Sequence, residues 1–365
     1  MAKKVLVIIN TLNVGGAETF LMKIFRSIDK DKIIFDFLVS EPIKGIYEDE
    51  VKKMGGKVYY GYYKVQHPLK NWLSIVKTVK IGNYKSVFIF SQHPIVFFDL
   101  LACILGGATQ RVVRSTNSHC GGYFYKYVAY VLRPFMNLLI STRVAPSKEA
   151  AVWLFGKSII EKKGYLQLNN GLDLNLFSYK ERERKLFREE NELLYKTIIG
   201  HIGRFNAQKN HFFLIDVFNE YLALNSNSVL VLIGNGELKD AVEKKIKSLN
   251  IQDKVILFDV RSDIPKCLCG FDLLLFPSIY EGMPNVVIEA QSTGLPCLVA
   301  DSITNDAKVT DLVNFISLGQ KPTVWAHKIS LILKIKNERA KYKYDLCNSG
   351  YSISSVSRIV QEIFL

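Results

Sequence analysis

Two glutamates eight residues apart close off the segment Ser278-Ile-Tyr-Glu-Gly-Met-Pro-Asn-Val-Val-Ile-Glu289. Pro284 suits the N1 position of a helix, so a helix is expected from about Asn285. The amide N–H groups of Gly282, Met283 and Asn285 would then point at an anion. Glu281 stands ahead of that helix and Glu289 about one turn inside it. Carboxylates make poor phosphate ligands but good acceptors for hydroxyl groups. The pair therefore suits a hydroxyl-rich substrate beside a phosphate, such as a sugar and a ribose. The plainer alternative is a helix N-terminus favoured by two acids, and the Glu-Gly-Met-Pro string weighs against it.

Three other turns carry similar chemistry. Gly203-Arg-Phe-Asn-Ala-Gln-Lys-Asn210 follows an apolar run, so Arg204 and Lys209 stand at a strand end. Two cations there can clamp a diphosphate as it leaves, in place of a metal; the alternative is a pair of helix-start surface charges. Gly234-Asn-Gly-Glu-Leu-Lys239 begins like a dinucleotide fingerprint but lacks its third glycine, and Rossmann-like packing accounts for it without NAD. Asn13-Val-Gly-Gly-Ala-Glu18 allows close backbone approach to a phosphate at a helix start, or is a simple tight turn. No metal site is expected: Asp29-Lys-Asp31 is the one Asp-x-Asp string, and it lies in a turn before a strand. Cys267 and Cys269 are too close for usual zinc-ligand spacing.

The elements that must position these turns follow from periodicity. Val5–Ile9, Phe35–Val39, Ser86–Phe90 and Arg111–Val113 read as strands with helices between them. The rhythm restarts with strand Thr197–Ile202, helix Phe212–Ala223, strand Ser228–Ile233 and helix Leu238–Leu249. Val255–Phe258, Leu273–Phe276 and Pro296–Val299 are further strands. Continuous β-branched runs without alternation indicate strands covered on both faces. Strand–helix alternation implies parallel sheets. The class is α/β, with two doubly wound domains, and ligands of such folds sit at strand carboxyl ends. We place the domains at 1–178 and 179–348, with a terminal amphipathic helix in 349–365 (Val356, Ile359, Val360, Ile363) that packs back toward the first domain.

Composition narrows the partners. The chain has 365 residues and a net charge of +14, and residues 1–178 hold 24 of the 48 basic but only 12 of the 34 acidic residues. A basic half attracts anions: nucleic acid, anionic lipid or a phosphate-bearing substrate. No nucleic-acid motif accompanies the charge, so no nucleic-acid partner is expected. Val5–Ile9 is too short for a signal peptide, and neither Ile95–Leu105 nor Tyr125–Ile140 resembles a transmembrane helix, although either could lie flat on a membrane. The six cysteines sit mostly in apolar surroundings, as in a reducing cytosol.

The Glu281–Glu289 segment resembles the Glu-x7-Glu signature of retaining GT-B glycosyltransferases of family 4, the group 1 glycosyl transferases. Gly15-Gly-Ala-Glu18, Gly203-Arg-x4-Lys209, Gly234-x-Gly236, Pro146-Ser-Lys-Glu-Ala150, Asn170-Gly-Leu-Asp173 and Ala290–Pro296 extend the likeness over almost the whole chain. The closest likeness is to bacterial members that build capsular or exopolysaccharide repeat units. The resemblance implies a GT-B fold whose two domains face across a cleft. It implies transfer, with retained anomeric configuration, of a hexose or N-acetylhexosamine from a nucleotide-diphosphate sugar, UDP-linked by expectation. The acceptor would be a saccharide, lipid-linked by expectation, in cell-surface polysaccharide biosynthesis. Arg204 and Lys209 would neutralise the diphosphate, Glu281 would hold donor-sugar hydroxyls, and Glu289 the ribose. Gly282, Met283, Pro284, Asn285 and Val286 would contribute backbone contacts; Gly16, Gly203, Gly234, Gly236 and Arg261 complete the expected donor set. Neither metal nor cofactor is implied. The location would be cytoplasmic, with peripheral association at the anionic inner face of the membrane.

One stretch departs from the family. Relatives carry a His-Ser-His-Asn-like string where this chain has Arg114-Ser-Thr-Asn117. Arg114, Asn117, His119 and, elsewhere, His93 are the acceptor-side candidates, or ordinary strand-end polar residues. Two alternatives accompany the leading reading: a GT-B-fold nucleotide-sugar epimerase, and a non-catalytic partner subunit. The joint presence of Arg204, Lys209, Glu281 and Glu289 argues against both.

Overall fold

The structure, a computed structural model, describes residues 2–13, 15–116, 123–335 and 337–365, without the side chains of 123–126 and 129. The chain forms two compact units, Met1–Gly171 with Tyr351–Leu365, and Leu172–Gly350. The first boundary falls seven residues before the one read from the sequence. Residues 172–178 pack into the second unit: Phe177 is buried, and the Cys269 thiol donates to Ser178 O.

The first unit is built on a seven-stranded parallel sheet in the order β3-β2-β1-β4-β5-β6-β7. Its strands are β1 (Lys3–Ile9), β2 (Ile33–Val39), β3 (Val58–Tyr60), β4 (Ser86–Ser91), β5 (Gln110–Ser115), β6 (Thr142–Ala145) and β7 (Leu166–Gln167). β3, β6 and β7 are two to four residues long and carry too little pattern to be read from periodicity. The central strands are buried on both faces, which is why they read as unbroken apolar runs. One core layer holds Phe25, Phe35, Phe37 and Phe88; the other holds Leu6, Ile8, Ile89 and Leu154.

The second unit repeats the plan with β8 (Thr197–Ile202), β9 (Ser228–Ile233), β10 (Val255–Phe258), β11 (Leu273–Phe276), β12 (Cys297–Ala300) and β13 (Val313–Ile316). The order is β10-β9-β8-β11-β12-β13, all parallel. Succession runs outward from β8 on one side and from β11 on the other, so the order reverses between those two strands. The charged stretch 180–190 is mostly a helix, Glu181–Glu190. Its Arg184 and Arg188 both reach Asp272 at 2.6 Å, and the same carboxylate accepts from Ile198 N at 2.8 Å. One acid thus ties this helix to the starts of β8 and β11.

The helix Ile353–Phe364 belongs to the first unit. Val356, Val360 and Phe364 are fully buried, and the Phe364 ring lies 6.3 Å from Phe35 and 5.5 Å from Phe88. Gln110 Nε2 donates to Ile363 O at 2.6 Å and fixes the end of that helix against β5. Phe364→Ala should destabilise the first unit by about 3–5 kcal/mol, read as a lower denaturation midpoint.

Candidate active site

The reversal between β8 and β11 puts two turns side by side, because the chain leaves the two strands in opposite directions around the sheet. The turn after β8 carries Gly203, Arg204 and Lys209. The turn after β11 carries Glu281 and leads into the helix Asn285–Ser292. Lys209 Nζ reaches Glu281 Oε1 at 2.6 Å, with both side chains more than four-fifths buried. Two further bonds join the turns: Ile279 N donates to Gln208 O at 2.8 Å, and Gln208 Nε2 donates to Tyr280 O at 2.8 Å. The two predicted charged residues are therefore neighbours in space, 72 positions apart in sequence.

Local chemistry sets the shape of the first turn. Asn206 caps a short 3-10 turn by accepting from Lys209 N, and Asn210 adopts φ 57°, a left-handed conformation asparagine tolerates, before the helix His211–Leu224. A Cβ on Gly203 would lie 3.0 Å from Lys209 Cε, so glycine there leaves room for the lysine stem. The ammonium also sits 4.7 Å from the Phe276 ring centroid. Arg204 is mostly exposed and lies 3.3 Å from Glu237.

Gly234 and Gly236 have a structural reason to be glycine. Their φ values are 149° and 159°, and a Cβ at either would lie 2.1 Å from Gly203 O or 2.5 Å from Phe205 O. The Gly-x-Gly turn is packed backbone to backbone against the Arg204 turn, with Phe205 N donating to Asn235 O and Leu238 N to Phe205 O. The pattern resembling a dinucleotide fingerprint is a brace for the basic turn.

In the second turn, Pro284 precedes the helix, one position outside the N1 place expected for it. Its carbonyl accepts from Val287 N and Ile288 N. The amides of Gly282, Met283 and Val286 have no acceptor among the described residues, so they remain available to an anion. Asn285 is exposed, and Glu289 is half-buried in the helix. Arg261, after β10, pairs with Asp263 through two bonds of 2.6 and 2.7 Å and stacks on Phe258. Its guanidinium is held strongly protonated by that carboxylate.

Behind Lys209 lies a feature the sequence reading missed. His201 and His211 are buried with ring centroids 4.9 Å apart, His201 Nδ1 lies 2.9 Å from Leu275 O, and His211 stacks on Phe205 at 4.3 Å. Burial holds His201 well below the usual imidazole range and pushes His211 down to about 4, with Lys209 adding to both shifts. Both rings are neutral in the fold.

In the first unit, Gly16 opens the helix Gly16–Ser27 at the end of β1. A Cβ there would meet nothing within 4 Å, so packing alone does not demand glycine, and the open space suits a ligand. Gly16, Glu18 and His93 line one cavity of about 550 Å³ at the carboxyl ends of β1 and β4. Burial raises the Glu18 carboxyl above its usual range, with Glu41 contributing. His93 Nδ1 accepts from Ile95 N at 3.2 Å, which places the proton of the neutral ring on Nε2. Arg114 corrects its expectation. It stands near the end of β5 but is buried rather than presented to a ligand, with its guanidinium 3.7 Å from the Phe20 ring centroid. It donates to Leu168 O and Asn170 Oδ1, and desolvation brings it down to about 9. Asn117 and His119 lie outside the described residues. Among the described residues no group of three or more His, Cys, Asp or Glu could hold a metal ion.

Residues 182–345 match the glycosyl transferases group 1 family. A Bacillus subtilis (strain 168) protein named as a glycosyltransferase, EpsF, is 31% identical over 96% of this chain and 93% of its own. The Campylobacter jejuni GalNAc-alpha-(1->4)-GalNAc-alpha-(1->3)-diNAcBac-PP-undecaprenol alpha-1,4-N-acetyl-D-galactosaminyltransferase is 26% identical over 92% of this chain and 90% of its own. Among solved structures, Anabaena Alr3699/HepE in complex with UDP superposes with a TM-score of 0.78 at 16% identity, covering 98% of each chain.

The buried histidines make stability depend on pH. In the unfolded chain they titrate near 6.5, and in the fold only far lower, so the unfolded state binds more protons between those values. Their contribution is complete above about pH 6.5 and is lost as pH falls toward about 4, where His211 titrates. Thermal unfolding from pH 7 to 4 should show a falling midpoint, with a shallower fall in His211→Phe.

A GT-B architecture, the paired basic and acidic turns and a full-length relative converge: the chain belongs to the glycosyl transferases group 1 family and is a glycosyltransferase.

Proposed function

We propose that the chain moves a hexose or N-acetylhexosamine from a UDP-sugar to a lipid-linked saccharide in cell-surface polysaccharide assembly, with retained configuration and without a metal. The observation that carries this is the Lys209–Glu281 pair beside the amides of Gly282, Met283 and Val286, which have no acceptor among the described residues. An ammonium has three protons, and Glu281 takes one of them. The other two, with Arg204 and the amides, neutralise a diphosphate whose charge grows as the bond to the anomeric carbon breaks. Glu281 accepts from sugar hydroxyls beside that carbon. The acceptor oxygen forms its new bond on the face the diphosphate leaves, and its proton passes to the departing phosphate oxygen. The relatives support the substrate classes: one is named for a diphospho-undecaprenol acceptor, and one similar structure holds UDP.

Lys209→Ala and Glu281→Ala should each reduce kcat/KM by roughly 10²–10³, the cost of one oxyanion-type contact at about 3–4 kcal/mol. Wild-type transfer should persist in EDTA, and NMR of the product should show the donor's own anomeric configuration. Unchanged turnover in both variants would refute the site; loss of activity in EDTA would refute the metal-free step.

The membrane reading rests on surface chemistry. The helix Tyr123–Leu139 exposes Tyr127, Tyr130, Phe135 and Leu138, and the helix Pro68–Ile81 exposes Leu69, Leu73 and Ile81 beside Lys70, Lys77 and Lys80. Apolar side chains flanked by lysines suit an anionic interface. None of the described helices is long and apolar enough to cross a membrane. The protein should sediment with phosphatidylglycerol vesicles, less with phosphatidylcholine vesicles, and be released by high salt.

A further inference from the structure

The carboxyl end of the first sheet carries two adjoining cavities. One, of about 550 Å³, has a mixed lining in which Asn10, Glu18, Ser91 and His93 stand among Ile9, Phe90 and Val96. The other, of about 290 Å³, is walled by Leu69, Trp72, Ile95 and Phe98, between the helices Pro68–Ile81 and Val96–Leu105. Three residues border both: Lys64, Ile95 and Asp99. Surface therefore changes from mixed, with several polar groups, to almost wholly apolar across one lysine.

Lys64 Nζ lies 2.8 Å from Asp99 Oδ2, and the two side chains are 35% and 13% exposed. The acid is held inside and the ammonium is presented at the border. One proton engages Asp99, which leaves the others for a ligand. The N-terminus of the helix Pro68–Ile81 opens beside it with no acidic residue in its first turn, so its partial positive charge is not offset there. The apolar wall is preformed: Trp72 Nε1 donates to Phe98 O at 2.9 Å, which locks the two helices together and satisfies the indole. Leu69 and Phe98 are 77% and 48% exposed, large values for apolar side chains lining a concavity.

We propose that these two cavities form the binding site for a polyprenyl-diphosphate-linked saccharide. The sugar enters the polar cavity, Lys64 binds the bridging diphosphate, and the first isoprene units lie against Leu69, Trp72 and Phe98. Asp99 is a positioning residue that orients the ammonium. The sequence of surfaces — polar, cationic, apolar — is the sequence of groups in such a molecule. The saccharide part of this assignment rests on the glycosyl-transfer reading; the lipid-diphosphate part does not.

The test is calorimetry on the full chain, with the donor site saturated by UDP and farnesyl diphosphate as the probe. Wild type should bind farnesyl diphosphate at least about tenfold more tightly than farnesol or inorganic pyrophosphate. Lys64→Ala should lose at least about tenfold for farnesyl diphosphate, the lower bound for one charged hydrogen bond, with farnesol unaffected. Lys64→Arg should retain binding, and Phe98→Asp should lose it. Far-UV circular dichroism and thermal unfolding of each variant should match wild type, which shows that the first unit folds, and UDP affinity should be unchanged because the donor residues lie in the second unit. Absence of farnesyl diphosphate binding, equal binding by Lys64→Ala, or pyrophosphate as tight as farnesyl diphosphate would overturn the proposal. Loss of UDP binding by wild type counts against the donor reading instead, because the farnesyl diphosphate result stands without it.

Discussion

A parallel sheet whose strand order reverses leaves two neighbouring strands whose exits diverge, and the chemistry of the second unit depends on that gap. β8 and β11 are adjacent, yet their following turns belong to opposite halves of the sheet. No short connection can fill the space between them. What fills it is a lysine from one turn and a glutamate from the other, in direct contact. The same gap leaves the amides of Gly282, Met283 and Val286 without acceptors among the described residues. Charge, counter-charge and open donors meet where the topology forbids closure.

The surroundings of that pair are rigid by construction. Asp272 draws Arg184, Arg188 and the Ile198 amide onto one carboxylate at the strand starts. At the strand ends, the Gly234–Gly236 turn is pressed against Gly203–Phe205, and two neutral histidines fill the space beneath Lys209. Burial of neutral imidazoles near an ammonium adds no competing charge beneath the lysine.

Much of this was legible in the sequence, for a physical reason. Strands covered on both faces appear as unbroken apolar runs, so β8, β9 and β11 are legible to the residue. Turns at their ends held the residues with chemistry, so Arg204, Lys209 and Glu281 stood out. The direct contact of Lys209 with Glu281 did not, because pairing across 72 residues follows from strand order, and order is not written in local pattern. Arg114 shows the opposite failure. A charged residue at a strand end reads as solvent-facing, yet Phe20 and two acceptors from residues 168–170 draw it inside. Lys64 and Asp99 carried no motif at all; only the packing of two helices reveals them. Gly234 and Gly236 read as Rossmann-like packing, and the close backbone approach to Gly203 and Phe205 accounts for the glycines in that way.

The seating of Phe364 against Phe35 and Phe88 bears on how the chain is made. Residues 351–365 leave the ribosome after every strand of both sheets, yet they complete the core around the first strands synthesised. During synthesis the middle unit can fold while the earlier one still shows an aromatic face to the cell. For a ribosome adding 5–20 residues per second, roughly ten seconds or more separate the making of β4 from the making of the helix that covers it. The unit that holds the earlier strands is thus completed after the other one, and loss of residues 353–364 would damage that earlier unit rather than the unit made just before them.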